Sequence, residues 1–271
     1  MIKGFFITFE GVDGCGKSTQ WQAVGDALKV KHPEREIILT RNPGGTAVGK
    51  DIRQLLLTPR NENDANISAM AELMLYMADR AQHVDEVVRP ALERGAIVLC
   101  DRFVDSSVAY QGAARGLDSS LIMGLNSMAC GDIEPHLTLL YDTDIDLLSK
   151  RIDARGERDR IELEGLEFQK KVQEGFRNLY HKNKNRIYCL DASRSIQELT
   201  KDSIEIIENT LSPHHIESIF KDFIVIKHYR QNLRREWLNS YIEEPAKDCL
   251  QQSNRLDSSD EESPIPLSIS S

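Results

Sequence analysis

The chain has 271 residues, 40% hydrophobic and 28% charged, with a formal net charge of −9. It is long enough for one large domain or two small ones around a substantial core, and its composition reads as soluble and globular. The acidic balance argues against a nucleic-acid surface, so affinity for an anionic ligand must come from local cations and backbone N–H groups. Five cysteines, at 15, 100, 130, 189 and 249, show no CxxC pairing; reduced thiols in a cytoplasmic compartment are expected, without a metal cage. No apolar run approaches the roughly 20 residues of a membrane span, and entry into a strand by Phe5 leaves no room for a signal peptide.

Gly4 to Glu10 is an apolar, aromatic-rich run that predicts a buried parallel strand. Gly11-Val12-Asp13-Gly14-Cys15-Gly16-Lys17-Ser18-Thr19 follows and fits G-x-x-x-x-G-K-[ST] at every fixed position; Trp21, Val24 and Leu28 then recur at helical spacing. Glycines let such a loop turn tightly, so that N–H groups and a helix N-terminus point at one anion, a nucleotide phosphate. Lys17 is placed for the β- and γ-phosphates, Ser18 for magnesium, and Thr19 for the α-phosphate. The competing reading is a glycine-rich turn with a solvated lysine.

Further strands are predicted at Glu36–Arg41, Ala96–Cys100, Leu137–Asp142 and Arg186–Leu190. A short amphipathic helix is expected around Val48, Ile52, Leu55 and Leu56, after the turn-forming Arg41-Asn42-Pro43-Gly44-Gly45-Thr46, and residues 61–66 read as a polar connector. Ser68 to Arg94 predicts one long helix, bent near Pro90 and stopped by Gly95. It carries Tyr76 and Arg80 four apart, on one face. Two shorter helices between Asp105 and Ala129 should break at Gly112 and Gly116, and a helix over Asp144–Ala154 leads into Arg155-Gly156-Glu157-Arg158-Asp159-Arg160, read as a mobile loop too polar for the core. Helices over Leu163–Asn183 and Ser195–Asn209 complete an α/β, doubly wound, five-stranded and mainly parallel sheet with helices on both faces.

Gly11–Thr19, Thr40–Thr46, Ala78-Asp79-Arg80-Ala81-Gln82-His83, Asp101 to Gly112 (DRFVDSSVAYQG) and Asp159-Arg160-Ile161-Glu162 together resemble thymidylate kinase of the bacterial type, over residues 1–211. The resemblance implies a P-loop NTPase fold and transfer of the ATP γ-phosphoryl group to dTMP, giving dTDP for dTTP synthesis, with Mg2+ accompanying ATP. By that resemblance Arg41 and Arg102 grip the acceptor phosphate, Asp13 positions it, and Asp101 with Ser18 orders magnesium. Tyr76 stacks on thymine, Arg80 and Gln111 meet the base edge, Ser107 lines the pocket, and Tyr110 sits against the deoxyribose 2′ position. Arg155 and Arg160, in a lid spanning about 151–162, close over the phosphates; Glu162 closes the pocket, and Asp191-Ala192-Ser193 contacts adenine. A homodimer using the helix near 68–90 is also implied.

Three residues depart from the family pattern: Asn42 stands where Glu is usual, His136 where Asp is usual, and Tyr76 where Phe is more common. Cys15 has two readings, a reactive thiol favoured by the helix N-terminus and a small apolar filler. Residues 212–250 are expected to add a helix, either docked on the core or a protein partner or simply tolerated, and 251–271 to be a disordered tail. Two further functions stay open: a broader deoxynucleoside monophosphate kinase, and a nucleotide-binding regulatory protein without turnover.

Overall fold

Six consecutive buried residues make β1 (Phe5–Glu10) the middle of a five-stranded sheet. The computed structural model describes residues 4–60, 66–156 and 158–212, so most of the polar connector, the helical extension and the tail lie outside the described residues. With β2 (Ile37–Arg41), β3 (Ile97–Asp101), β4 (Leu137–Asp142) and β5 (Ile187–Asp191), the order is β2-β3-β1-β4-β5 and every pairing is parallel. The chain leaves β1 toward β2 and β3 on one side and returns for β4 on the other. Such a reversal opens a crevice at the carboxyl ends of the strands, where ligands bind in open α/β sheets.

The alternation along β1 explains the layers. Phe5, Ile7 and Phe9 join Val24 and Leu28 of α1 (Lys17–Lys31) and Leu199 and Ile207 of α9 (Ile196–Leu211) in one core cluster. Phe6, Val98 and Cys100 meet Val84, Val88 and Phe103 in another. Register then levels the functional ends: Phe9 and Arg41 both pair with Asp101.

Several expectations need correction. The long helix is α3 (Ala69–His83), a π-helical turn over Val84–Val88, and α4 (Arg89–Glu93), so its irregularity begins before Pro90. Between Asp105 and Ala129 the elements are α5 (Val104–Ser107), a π-helical stretch over Val108–Ala114 and α6 (Ser119–Cys130); Gly112 lies within the first helical run, leaving Gly116 as the break. In α2 (Ala47–Leu57) Leu56 is buried while Val48 and Leu55 are exposed, so the apolar face is only partly used. After α7 (Ile145–Arg155), Arg160, Ile161 and Glu162 are buried. Charge did not keep that loop out of the interior, because buried partners for Arg160 were in reach. A single 3-10 turn (Glu162–Glu164) then leads to α8 (Leu166–Lys182).

His136 sits at the entry of β4, where its ring stacks on Phe5 at 4.8 Å and its Nδ1 accepts the Phe6 N–H at 3.0 Å. Burial pushes the imidazole from 6.5 down to about 4. The unfolded chain therefore takes up this proton first, and stability present above pH 6.5 is lost as the pH falls toward 4. His136→Asn retains an acceptor for the Phe6 N–H without titrating. Chemical denaturation of both proteins at pH 7.5 and pH 5 should show the parent losing about 2 kcal/mol relative to the variant on acidification.

Candidate active site

The loop between β1 and α1 turns where only glycine fits. Gly11 has φ +143°, and a Cβ there would lie 2.4 Å from the Tyr141 carbonyl oxygen. Gly16, at φ 88°, caps α1 with no side-chain hydrogen bond to the first-turn N–H groups and no acidic residue in that turn. These donors and the positive end of the helix dipole are thus left for an external anion. Lys17 lies beside them, 3.4 Å from Asp13.

Asp101 ends β3 next to this loop, and Arg102 follows it. Ser18 Oγ donates to Asp101 Oδ2 at 2.8 Å, while Asp101 Oδ1 is buried without a hydrogen-bond partner among the described residues. Arg102 is the sole non-glycine residue at positive φ (69°) among those described. Such a conformation is uncommon for a bulky side chain and clusters at functional sites. From it the guanidinium donates to Asp13 Oδ1 at 2.7 Å, the Gly11 carbonyl at 3.0 Å, Ser106 at 3.1 Å and the Tyr110 hydroxyl at 3.0 Å. Tyr110 in turn donates to Asp13 Oδ2 at 2.9 Å. Burial works to raise the Asp13 pKa, but Arg102, Lys17 and Tyr110 outweigh it and hold the carboxyl well below the usual range.

A cavity opens from Asp13 and Arg102 toward α3. Tyr76, Arg80, Ser107, Tyr110 and Gln111 line it, as do Asn42 and Pro43 from the loop after β2. Arg80 is fully buried: Nε donates to Asn42 Oδ1 at 3.0 Å, Nη1 to Ser107 at 2.9 Å and to Asn126, and Nη2 to the Phe103 carbonyl at 3.1 Å. Asn42 also donates to Asp79, whose other oxygen accepts the Gly44 N–H at 2.9 Å. Burial raises Asp79 from 3.8 to about 6. A neutral amide at 42 serves both the cation and the acid, where a second carboxylate would face Asp79 with like charge.

Not every predicted site residue joins this cavity. Arg41 lies at its sheet edge, 3.5 Å from Asp101 and over the Trp21 ring at 5.8 Å, and is not among the lining residues. Arg160 is taken up by buried protein partners, donating to the Leu56 carbonyl at 2.6 Å and to Glu72 at 2.6 Å. Arg155 ends α7, and its side chain is outside the described atoms. Arg151 instead approaches the loop, donating to the carbonyls of Ala192 at 3.2 Å and Cys15 at 3.5 Å. Glu162 is buried, with Oε2 accepting the Asp159 N–H at 3.2 Å. Asp191 and Ser193 close a local turn at the end of β5.

Two residues were missed. Arg53 of α2 lines the cavity, donates to the Pro43 carbonyl at 3.2 Å, and makes no ion pair with a carboxylate among the described residues. Burial and then Arg41 lower its pKa. Glu72, fully buried, accepts from Gln111, Arg115 and Arg160. For Glu72 a signal existed: Glu72, Tyr76 and Arg80 recur every four residues, which marks one stripe of a helix.

Residues 9–204 match the family model for thymidylate kinase. The chain is 46% identical over 196 residues to the thymidylate kinase of Exiguobacterium sp., covering 72% of this chain and 90% of that protein. It is 41% identical over 224 residues to that of Protochlamydia amoebophila, covering 80% and 98%. The crystal structure of thymidylate kinase from Ehrlichia chaffeensis superposes with a TM-score of 0.62 at 31% identity, covering 76% of this chain and 99% of that one.

Cys15 follows the filler reading. It is buried, and burial raises its thiol pKa despite Lys17. A thiol-specific alkylating reagent at pH 7.5 should leave Cys15 unlabelled in peptide mapping, and the parent and Cys15→Ala should be inactivated at equal rates; selective protection by the substitution would return Cys15 to the reactive class.

Proposed function

Since this chain belongs to the thymidylate kinase family and phosphorylates dTMP with ATP as donor, we propose an assignment of its residues to the two substrates. Gly11 to Thr19 cradle the ATP phosphates, with Lys17 along the β- and γ-groups. The uncapped N-terminus of α1 supports this. The cavity lined by Tyr76, Arg80 and Gln111 takes dTMP, thymine stacking on Tyr76 and its polar edge facing Arg80 and Gln111. Ser107 completes the wall, and Tyr110, held by Asp13, occupies the space a 2′-hydroxyl would need.

The observation that carries this reading is the junction. Arg102 joins the Gly11 carbonyl and Asp13 of the phosphate loop to Tyr110 of the cavity. A cation there can meet the acceptor phosphate and the transferring phosphoryl group together. Phosphoryl transfer needs little from a protein beyond such positioning and charge stabilisation. Arg41 would meet the same phosphate from the sheet edge beside Asp101, and Arg53 of α2 adds a partly buried cation on the cavity wall. In the lid we assign closure to Arg155; the same role for Arg160 requires release from Glu72 and the Leu56 carbonyl.

Ser18 and Asp101 suit magnesium, a hard cation that keeps waters and takes one or two carboxylates beside substrate phosphates. Their 2.8 Å contact and the unpartnered Asp101 Oδ1 support that role. The ion supplies charge neutralisation at the donor phosphates. The exposed Met70 and Met74 of α3, and Met123 and Met128 of α6, which packs on it, support a homodimer through α3. No helix among the described residues is long and apolar enough to cross a membrane, which accords with a cytoplasmic enzyme. Neither broader specificity nor loss of turnover is favoured by any of these features.

A coupled assay with ATP and dTMP, dUMP, dCMP, dGMP and UMP should give selective turnover of dTMP; comparable rates on several acceptors would overturn the strict reading. Arg102→Ala should lower kcat on the order of 100- to 1,000-fold. Tyr76→Ala should raise the KM for dTMP about tenfold, within the roughly 1–3 kcal/mol of a base–aromatic stack, and an unchanged KM would remove the base from this cavity. Sedimentation should show a dimer that Met74→Glu dissociates.

A further inference from the structure

Glu72 is buried one helical turn before Tyr76, and all of its polar contacts are with donors. Its Oε1 accepts from Gln111 Nε2 at 2.8 Å and from Arg115 Nε at 3.3 Å. Its Oε2 accepts from Arg115 Nη2 at 3.1 Å and Arg160 Nη2 at 2.6 Å. Burial would protonate this acid, but the bonds from Arg115, Gln111 and Arg160 outweigh burial and lower its pKa. An ionised carboxylate only accepts. The NH2 end of the Gln111 amide must therefore face Glu72, and its carbonyl oxygen, which receives no hydrogen bond from the described residues, is the end left for the cavity that Gln111 lines.

We propose that Glu72 is a positioning residue for base selection: by pinning the Gln111 amide in one orientation it presents an acceptor to the ligand, so that a pyrimidine carrying a hydrogen on N3 is taken and one carrying a lone pair there is refused. The inference rests on the dTMP assignment of the cavity above. Thymine has that N3–H; 5-methylcytosine keeps the same methyl group but offers an N3 lone pair and an exocyclic amine. Facing two acceptors leaves both unpaired in a desolvated site, the situation in which polar pockets discriminate most strongly. Arg115 bonds both carboxylate oxygens and Arg160 bonds Oε2, so the amide cannot turn by dragging its anchor.

Glu72→Gln tests the orientation directly. The amide oxygen at 72 should go to the arginine-rich end where Oε2 now lies, turning its NH2 toward Gln111, which then reverses and offers a donor to the base. Calorimetric titration with dTMP and 5-methyl-dCMP should show the ratio of their dissociation constants narrowing by at least tenfold. Equal weakening for both nucleotides, with the ratio unchanged, would overturn the proposal, since a purely structural role for Glu72 predicts that result. If Glu72→Gln does not fold, Glu72→Asp keeps the charge but withdraws it from Gln111; its ratio should narrow at least threefold, and an unchanged ratio again overturns the proposal. Gln111→Leu separates the two levels. If it leaves the parental ratio intact, the base does not meet Gln111 and the cavity assignment fails; if it narrows the ratio while both Glu72 variants do not, only the role of Glu72 fails.

Discussion

The ion pair between Arg102 and Asp13 is the contact on which the site depends, because it ties the phosphate loop after β1 to the cavity beyond β3. Neither partner is free to move alone. Asp13 is held by Lys17 and Tyr110 as well, and Arg102 is aimed by a left-handed backbone whose N–H donates to the Phe9 carbonyl at 3.0 Å. A largely buried cation with a hydrogen-bonded carboxylate loses little to solvent reorganisation when a phosphate arrives, which is the preorganisation that charge-stabilising catalysis requires.

The sheet makes this pair possible. Three adjacent parallel strands end level at Phe9, Arg41 and Asp101, so loops distant in sequence start from one edge. Behind them the polar interior is paired in a graded way. Glu10 accepts from the Phe103 N–H and from Ser106, and burial raises it to about 7. Asp105 takes a two-point contact from Arg186 at 2.8 Å on each oxygen. These groups brace the helix that carries Ser106, Ser107 and Tyr110 without entering the cavity.

On α3 the stripe Glu72, Tyr76, Arg80 brings three chemistries to one face: a buried carboxylate bonded to Gln111, and a phenol ring and a buried cation that line the cavity; in the proposed assignment these orient, stack and close the polar end. The helix can do this because four residues bring side chains to the same side one turn apart. Asn42 shows the same economy of charge. It spans Asp79 and Arg80 with a neutral amide, its oxygen accepting from the fully buried guanidinium and its NH2 donating to the acid.

Much of this was legible beforehand. The strand–loop–helix around Gly11–Thr19, the five strands and the pocket residues Tyr76, Arg80, Ser107, Tyr110 and Gln111 follow from runs, motifs and resemblance, because each signal is local or carried by a contiguous segment. Arg53 was not legible, since an arginine in a short amphipathic helix looks solvated until the opposite wall is known. Arg160 goes to the phosphates by resemblance, in a charged loop that reads as mobile; its buried partners Glu72 and the Leu56 carbonyl lie 88 and 104 residues away, a pairing no spacing reveals. The irregular turns over Val84–Val88 and Val108–Ala114 escape the sequence for another reason, since a π-helical stretch of one or two turns is too short to show a period of its own. The motifs thus point to phosphate and base chemistry before any fold is known, since charge and aromaticity are intrinsic to each side chain. Which way those groups face and what they are bonded to emerge from the packed fold, because direction and desolvation arise when distant segments pack.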